Sequence, residues 1–241
     1  MKNKLKWQLV LEISLILLSL GIYLIQILIF HDAKNTLFYF MQDVAFLPIQ
    51  VLLVTLVINK LLAYREKVNM LQKLNMVIGS FFTEVGVSLL KYFERFDSNV
   101  ESIRKELMFD TNSGQDEFNR SLNKVGKYIS HIDCHTDGLV RLKEFLIGKR
   151  NFMLGLLQNP NLLEHEAFTE LLWAVFHLTE ELSLRPDVTK LTNSDYEHLN
   201  VDIQRAYSIL ITQWLNYLNH LKEDYPYLYS FAVRTNPFRH R

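Results

Sequence analysis

Residues 46–74 read FLPIQVLLVTLVINKLLAYREKVNMLQKL, and this stretch decides the fold. It starts apolar enough for a bilayer interior, turns basic at Lys60 and Arg65, and continues without a strong breaker as an amphipathic helix. The segment from Leu37 to Phe96 is organised around that change of character. Before it lies another apolar run, and after it the chain becomes water-compatible and helix-patterned.

That earlier run, Trp7 to Phe30, holds 24 residues and a single ionisable side chain, Glu12. At helical rise it spans about 36 Å, more than a hydrocarbon core of about 30 Å requires. It is too long for the apolar region of a signal peptide, and no small-x-small cleavage site follows, so a retained transmembrane helix is expected. The link His31–Thr36 is short and polar, so a second crossing must follow at once. Val44 to Leu62 supplies it, with Pro48 near its outer end and the interfacial run Leu37, Phe38, Tyr39 and Phe40 before it. Lys2, Lys4, Lys6 and Lys60, Arg65, Lys67 flank the two inner ends, while the link carries only Lys34. The positive-inside rule then predicts a multi-pass membrane protein with both termini cytoplasmic. The expected organisation is a transmembrane hairpin over 1–63 (helices about 7–30 and 37–63), a helical stalk over 64–97 and a cytoplasmic helical bundle over 98–241.

Polar residues inside the hairpin fall in register. Glu12, Ser19 and Gln26 are seven apart, as are Asp43 and Gln50. A narrow polar seam of this kind predicts hydrogen bonding between helices, within the hairpin or in a homo-oligomer. The alternative is an oligomeric ion channel whose path the seams line. Further on, Leu71, Leu74, Ile78, Phe81, Val85 and Tyr92 alternate by three and four with Ser88 as the one gap. This coiled-coil-like seam predicts self-association or bundling within the chain.

The remaining pattern is all-α. Eight glycines and five prolines are few for 241 residues, and no segment alternates with strand period. Phe118, Leu122, Val125, Ile129 and Ile132 mark one helix. Others are expected at about Asp137–Gln158 and Leu162–Leu184, with a long one from about Ser194, read as N-cap with Glu197 three residues on, to Glu223. A short last helix starts at Pro226. Acids and bases balance at 26 each, so no basic surface for nucleic acid is expected. Cys134 is the single cysteine, which excludes an internal disulfide.

No nucleotide-binding, nucleophile-elbow or zinc-protease signature is present, so a non-enzymatic protein without a cofactor is expected. The metal-ligand candidates are His131 and His135, spaced HxxxH, and Glu166, Glu170, His177 and Glu181 along one helix face. Thr136, Asp137 and Gly138 look like a cap and break, which would spoil the first pair. Opposite the second set lie Phe168, Leu171, Leu172, Val175 and Leu182. The apolar side must take the core, so the carboxylates are expected to meet water or a partner. His198, Asp202 and Arg205 lie likewise opposite Ile203, Tyr207, Leu210 and Trp214. With Tyr225 and Tyr227 they form the expected face for a cytoplasmic protein partner. A metal-binding bundle with redox chemistry is the remaining alternative to the scaffold and the channel.

Three segments, FLPIQVLLVTLVINKLL (46–62), NPNLLEHEAFTELLWAVFHLTEEL (159–182) and HLKEDYPYLYSFAVRTNPF (220–238), carry a resemblance. The chain resembles a group of uncharacterised bacterial and archaeal inner-membrane proteins. That resemblance implies two membrane helices and a cytoplasmic helical domain, with no activity, cofactor or catalytic residue attached. The bilayer is the expected partner, and a self-associating scaffold or sensor the expected role.

Overall fold

The computed structural model describes residues 2–134 and 136–239, and among these every regular element is helical apart from one isolated bridge. The chain divides into two compact units, Met1–Glu66 and Lys67–Arg241.

The first unit holds α1 (Lys2–Phe30) and the apolar part of α2 (Ala33–Phe81). Both helices are long and apolar enough to cross a membrane, with mean hydropathy 2.2 and 2.0, and none of either apolar window is buried. The turn between them places His31 at φ 52°, a conformation few non-glycine residues adopt. Asp32 holds the new helix start: its carboxylate accepts the Asn35 N–H at 3.0 Å and its carbonyl accepts the Thr36 hydroxyl at 3.0 Å. The Tyr23 hydroxyl donates to the Asp43 carboxylate at 3.3 Å, and the Tyr23 ring meets Phe40 edge-on at 5.7 Å. α2 continues through Pro48, at the cost of the N–H that would have bonded the Val44 carbonyl.

The second unit is a helical bundle. The last turns of α2 bury Leu74, Ile78 and Phe81, so the seam expected in a stalk over 64–97 lies partly in this core. A π-helical turn (Phe82–Gly86) then carries the chain into α3 (Val87–Phe96). A π turn holds about one residue more than an α turn, which slips the buried stripe by one position. Instead of Ser88 and Tyr92, the residues sealed from water beyond it are Leu89, Leu90 and Phe93. The Ser88 gap in the heptads was the trace of that slip.

α4 (Glu101–Arg104) runs into a 3-10 turn, and α5 spans Gln115–Val125. The helix expected as far as Ile132 stops here. Gly126 ends it, and the chain beyond runs extended past Phe96–Ser98, with a bridge between Asp97 and Ile132. The pairing is competitive because Asp97 is buried and collects donors: the Tyr128 hydroxyl and the His131 N–H, the latter at 3.0 Å. Ile129, written as core in a helical reading, is 67% exposed.

α6 (Thr136–Leu157) ends before Asn159–Pro160, where Asn159 caps a 3-10 turn by accepting the Asn161 N–H at 3.0 Å. α7 (Glu166–Leu184) ends before Pro186, whose ring disfavours helix at the residue before it. α8 (Asn193–Asp224) is capped by Thr192 and not by Ser194. The Thr192 hydroxyl accepts the Asp195 N–H while the Asp195 carboxylate accepts the Thr192 N–H, each at 3.2 Å. Asp195 therefore takes the part expected of Glu197. α9 (Pro226–Arg234) closes the chain. α8 is the central element, in contact with α3, α5, α7, α9 and the π turn. Its Leu199, Ile203, Ala206, Tyr207, Leu210 and Trp214 are buried, at about 1.5–3 kcal/mol for each large side chain removed from water.

Candidate functional site

α7 and α8 form an antiparallel hairpin, and their apolar stripes face each other through Leu171, Leu172, Val175, Leu178 and Leu182 on one side and Leu199, Ile203 and Leu210 on the other. Each helix also carries the polar face expected to meet water or a partner. In the hairpin the two faces close on each other along one edge. Glu170 meets Arg205 at 3.6 Å, His177 meets Asp202 at 3.6 Å, and Glu181 lies 3.9 Å from His198. Arg185 fastens the top of this ladder, bonding Glu181 at 2.5 Å and lying 3.5 Å from Asp195. Taken one helix at a time, these groups are amphipathic surface; taken as a mirrored pair about the 185–192 turn, they are complementary.

Electrostatics follow from those contacts. The hydrogen bond from Arg185, more than the charges of His177 and His198, holds the Glu181 carboxyl below the usual carboxylate range, against the opposing effect of burial. Asp202 takes a different place. One of its carboxylate oxygens is shut off from solvent and has no hydrogen-bond partner, while both imidazoles approach it.

The other ligand candidates are dispersed. Glu166 is exposed at the start of α7, and His131 is exposed in the extended segment, off any helix. His135 lies outside the described residues. Of the partner-face residues, Tyr227 projects at 71% exposure and Tyr225 is exposed at 39%. Tyr229 instead turns inward, its hydroxyl donating to the Asp110 carbonyl at 2.8 Å, and burial pushes its phenol up to about 12. In the first unit Glu12, Ser19, Gln50 and Asp43 are exposed while Gln26 is partly buried, and Asp43 is held by Tyr23.

Sequence reasoning gave no hint of a groove of about 870 Å³ in the second unit, lined by Phe82, Trp214, Tyr217, Leu228 and Phe231 among others. The Phe82 and Tyr217 rings stack at 4.9 Å on its wall. A polar recess of about 620 Å³ adjoins it through Lys91 and Thr235, and is lined by Arg95, Arg234 and Arg239. Arg104 at its margin is committed to Glu94, Glu101 and the Phe238 carbonyl, at 2.5, 2.9 and 2.7 Å. No local motif marks either recess, because each is assembled from elements far apart in the chain.

The bipartite layout has a counterpart elsewhere. The description "MJ1433, N-terminal helical domain" matches residues 2–62, and "Uncharacterized protein MJ1433, C-terminal helical domain" matches residues 70–234. The chain belongs to the MJ1433 family. The "Uncharacterized protein MJ1433" of Methanocaldococcus jannaschii is 48% identical to it over 241 residues, covering 98% of this chain and 95% of that relative. The two MJ1433 domains meet between residues 62 and 70, which brackets the division at Glu66. No solved structure matches this MJ1433-family chain.

Proposed function

We propose that this chain is a non-enzymatic, self-associating membrane-anchored scaffold or sensor, with α1 and the apolar part of α2 crossing the inner membrane and the helical bundle in the cytoplasm. The observation that carries it is the exposure of the apolar side chains from Val10 to Leu62, such as Leu17, Leu28, Leu53 and Val57, each more than half exposed. A soluble protein would bury a helix of that composition, since each such side chain left in water forgoes about 1.5–3 kcal/mol. Lys60, Arg65 and Lys67, where the apolar part of α2 ends, support the cytoplasmic placement of the helical bundle. The groove beside Trp214 and Tyr217, together with exposed Tyr227, offers binding surface for a cytoplasmic partner.

The test is extraction of membranes from cells making the full chain. Retention in the pellet through alkaline carbonate and urea is expected, with a carboxyl-terminal fluorescent reporter active on the cytoplasmic side. Release by carbonate, or a reporter active only outside, overturns the reading. Cross-linking in intact membranes checks self-association, which predicts a discrete oligomer band.

A further inference from the structure

We infer that His177, His198 and Asp202 bind a first-row divalent transition-metal ion, of which zinc is the fitting case, at the edge of the α7–α8 hairpin. The site lies wholly in the second unit and is independent of the membrane placement proposed above.

The Nε2 atoms of His177 and His198 lie 3.6 and 3.5 Å from the same Asp202 Oδ2, and one ligand atom from each of the three residues falls within 4.8 Å of the other two. Ligands held about 2.0–2.1 Å from a tetrahedral zinc ion are about 3.3–3.4 Å apart, so two of the three spacings already match a coordination sphere. The same spacings are long for hydrogen bonds and leave room for an ion among the three groups.

Burial points the same way independently. The Asp202 side chain is only 13% exposed, and its Oδ2 is sealed with no hydrogen-bond partner. A carboxylate oxygen in that state is costly unless a cation sits beside it. The imidazoles, by contrast, are 54% and 55% exposed, so the site has a floor and an open mouth. Such a site keeps a coordination position for water or an outside ligand.

The donor set decides the class of ion. Two imidazoles with one carboxylate suit zinc, cobalt, nickel or ferrous iron; calcium and magnesium demand oxygen donors. Glu181, with Oε2 3.9 Å from His198 Nε2, adds negative charge at the margin while remaining bonded to Arg185. Both helices contribute an i, i+4 pair, His177 with Glu181 and His198 with Asp202, so bound metal would pin α7 to α8.

The experiment uses the untagged full chain in detergent micelles, stripped with chelator and titrated with Co²⁺ and then Zn²⁺. The expected result is saturation at one equivalent, with visible absorption typical of tetrahedral or five-coordinate cobalt that zinc abolishes and magnesium does not. H198A and D202N are each expected to weaken binding by about tenfold or more. His177 and His198 are surface side chains, so H177A and H198A remain folded, and circular dichroism of each verifies this. The H131A/H135A control is expected to titrate like the unaltered chain. Absence of saturable binding, undiminished binding in H198A and D202N, or loss of binding in the control alone would each overturn the assignment.

Discussion

Asp97 shows how one buried side chain can redirect the backbone. Its carboxylate accepts from the Tyr128 hydroxyl and from two N–H groups, of Asn99 and His131, each at 3.0 Å. Burial, ahead of the bond to Asp97, raises the Tyr128 phenol well above its ordinary value, so it stays a donor at any physiological pH. Y128F removes that donor and leaves a buried carboxylate oxygen short of a partner, for an expected cost of about 1–3 kcal/mol in chemical denaturation. Tyr207 is the contrast: its hydroxyl is buried without a partner, so Y207F is expected to be neutral or stabilising in the same assay. Burial also pushes the Cys134 thiol up to about 11, so little thiolate forms at pH 8. Labelling by a disulfide reagent at that pH is expected to be slow in the folded chain and fast in denaturant. None of this was legible beforehand. In the sequence Asp97 looks like an ordinary acid after a helix, and two of its donors, Tyr128 and His131, are 31 and 34 residues away.

At the scale of elements, helix ends were legible wherever proline or asparagine wrote them. Asn159–Pro160, Pro186 and Pro226 all fall at boundaries the structure keeps. Two features escaped for physical reasons. The helix expected through Ile132 obeyed a periodicity that tertiary pairing with Phe96–Ser98 overrode, and the heptads across residue 86 assumed an unbroken α-helical register. The α7–α8 edge was half legible: both polar faces were evident, but not that they would meet. T192A removes the cap of α8 and is expected to cost about 1 kcal/mol in thermal unfolding. R185M tests the ladder through pH. Glu181 has its folded value depressed chiefly by Arg185, so its contribution is full above the unfolded value of about 4.3 and disappears as pH falls through the folded one. Stability curves of R185M and the unaltered chain are therefore expected to differ at pH 7 and converge under strong acid.

For the whole molecule, the all-α class was legible in the helical spacing of apolar residues and the scarcity of glycine and proline. Composition cannot say which helices neighbour which, and so both recesses of the second unit were invisible. On the membrane placement proposed above the two units meet different solvents, which separates the effects of substitutions in them. L53R, placing a charge amid the apolar part of α2, adds about 2.5–3.5 kcal/mol to membrane insertion and is expected to lower the carbonate-resistant fraction. L210A, in the core of the bundle, is expected to cost about 2–5 kcal/mol of folding stability while leaving that fraction unchanged.

The widened turn at Phe82–Gly86 has a genetic corollary. It stores the length of one codon. Deleting exposed Thr83 keeps the message in frame and is expected to tighten the wide turn to a regular α turn, leaving every later side chain of that helix on the side it already occupies. Phe81 and Phe93, both sealed in the same core, would then stand about three regular α turns apart and keep a common side. A homologue with a one-residue gap here is expected to carry the same aromatic residues on an unbroken α-helix.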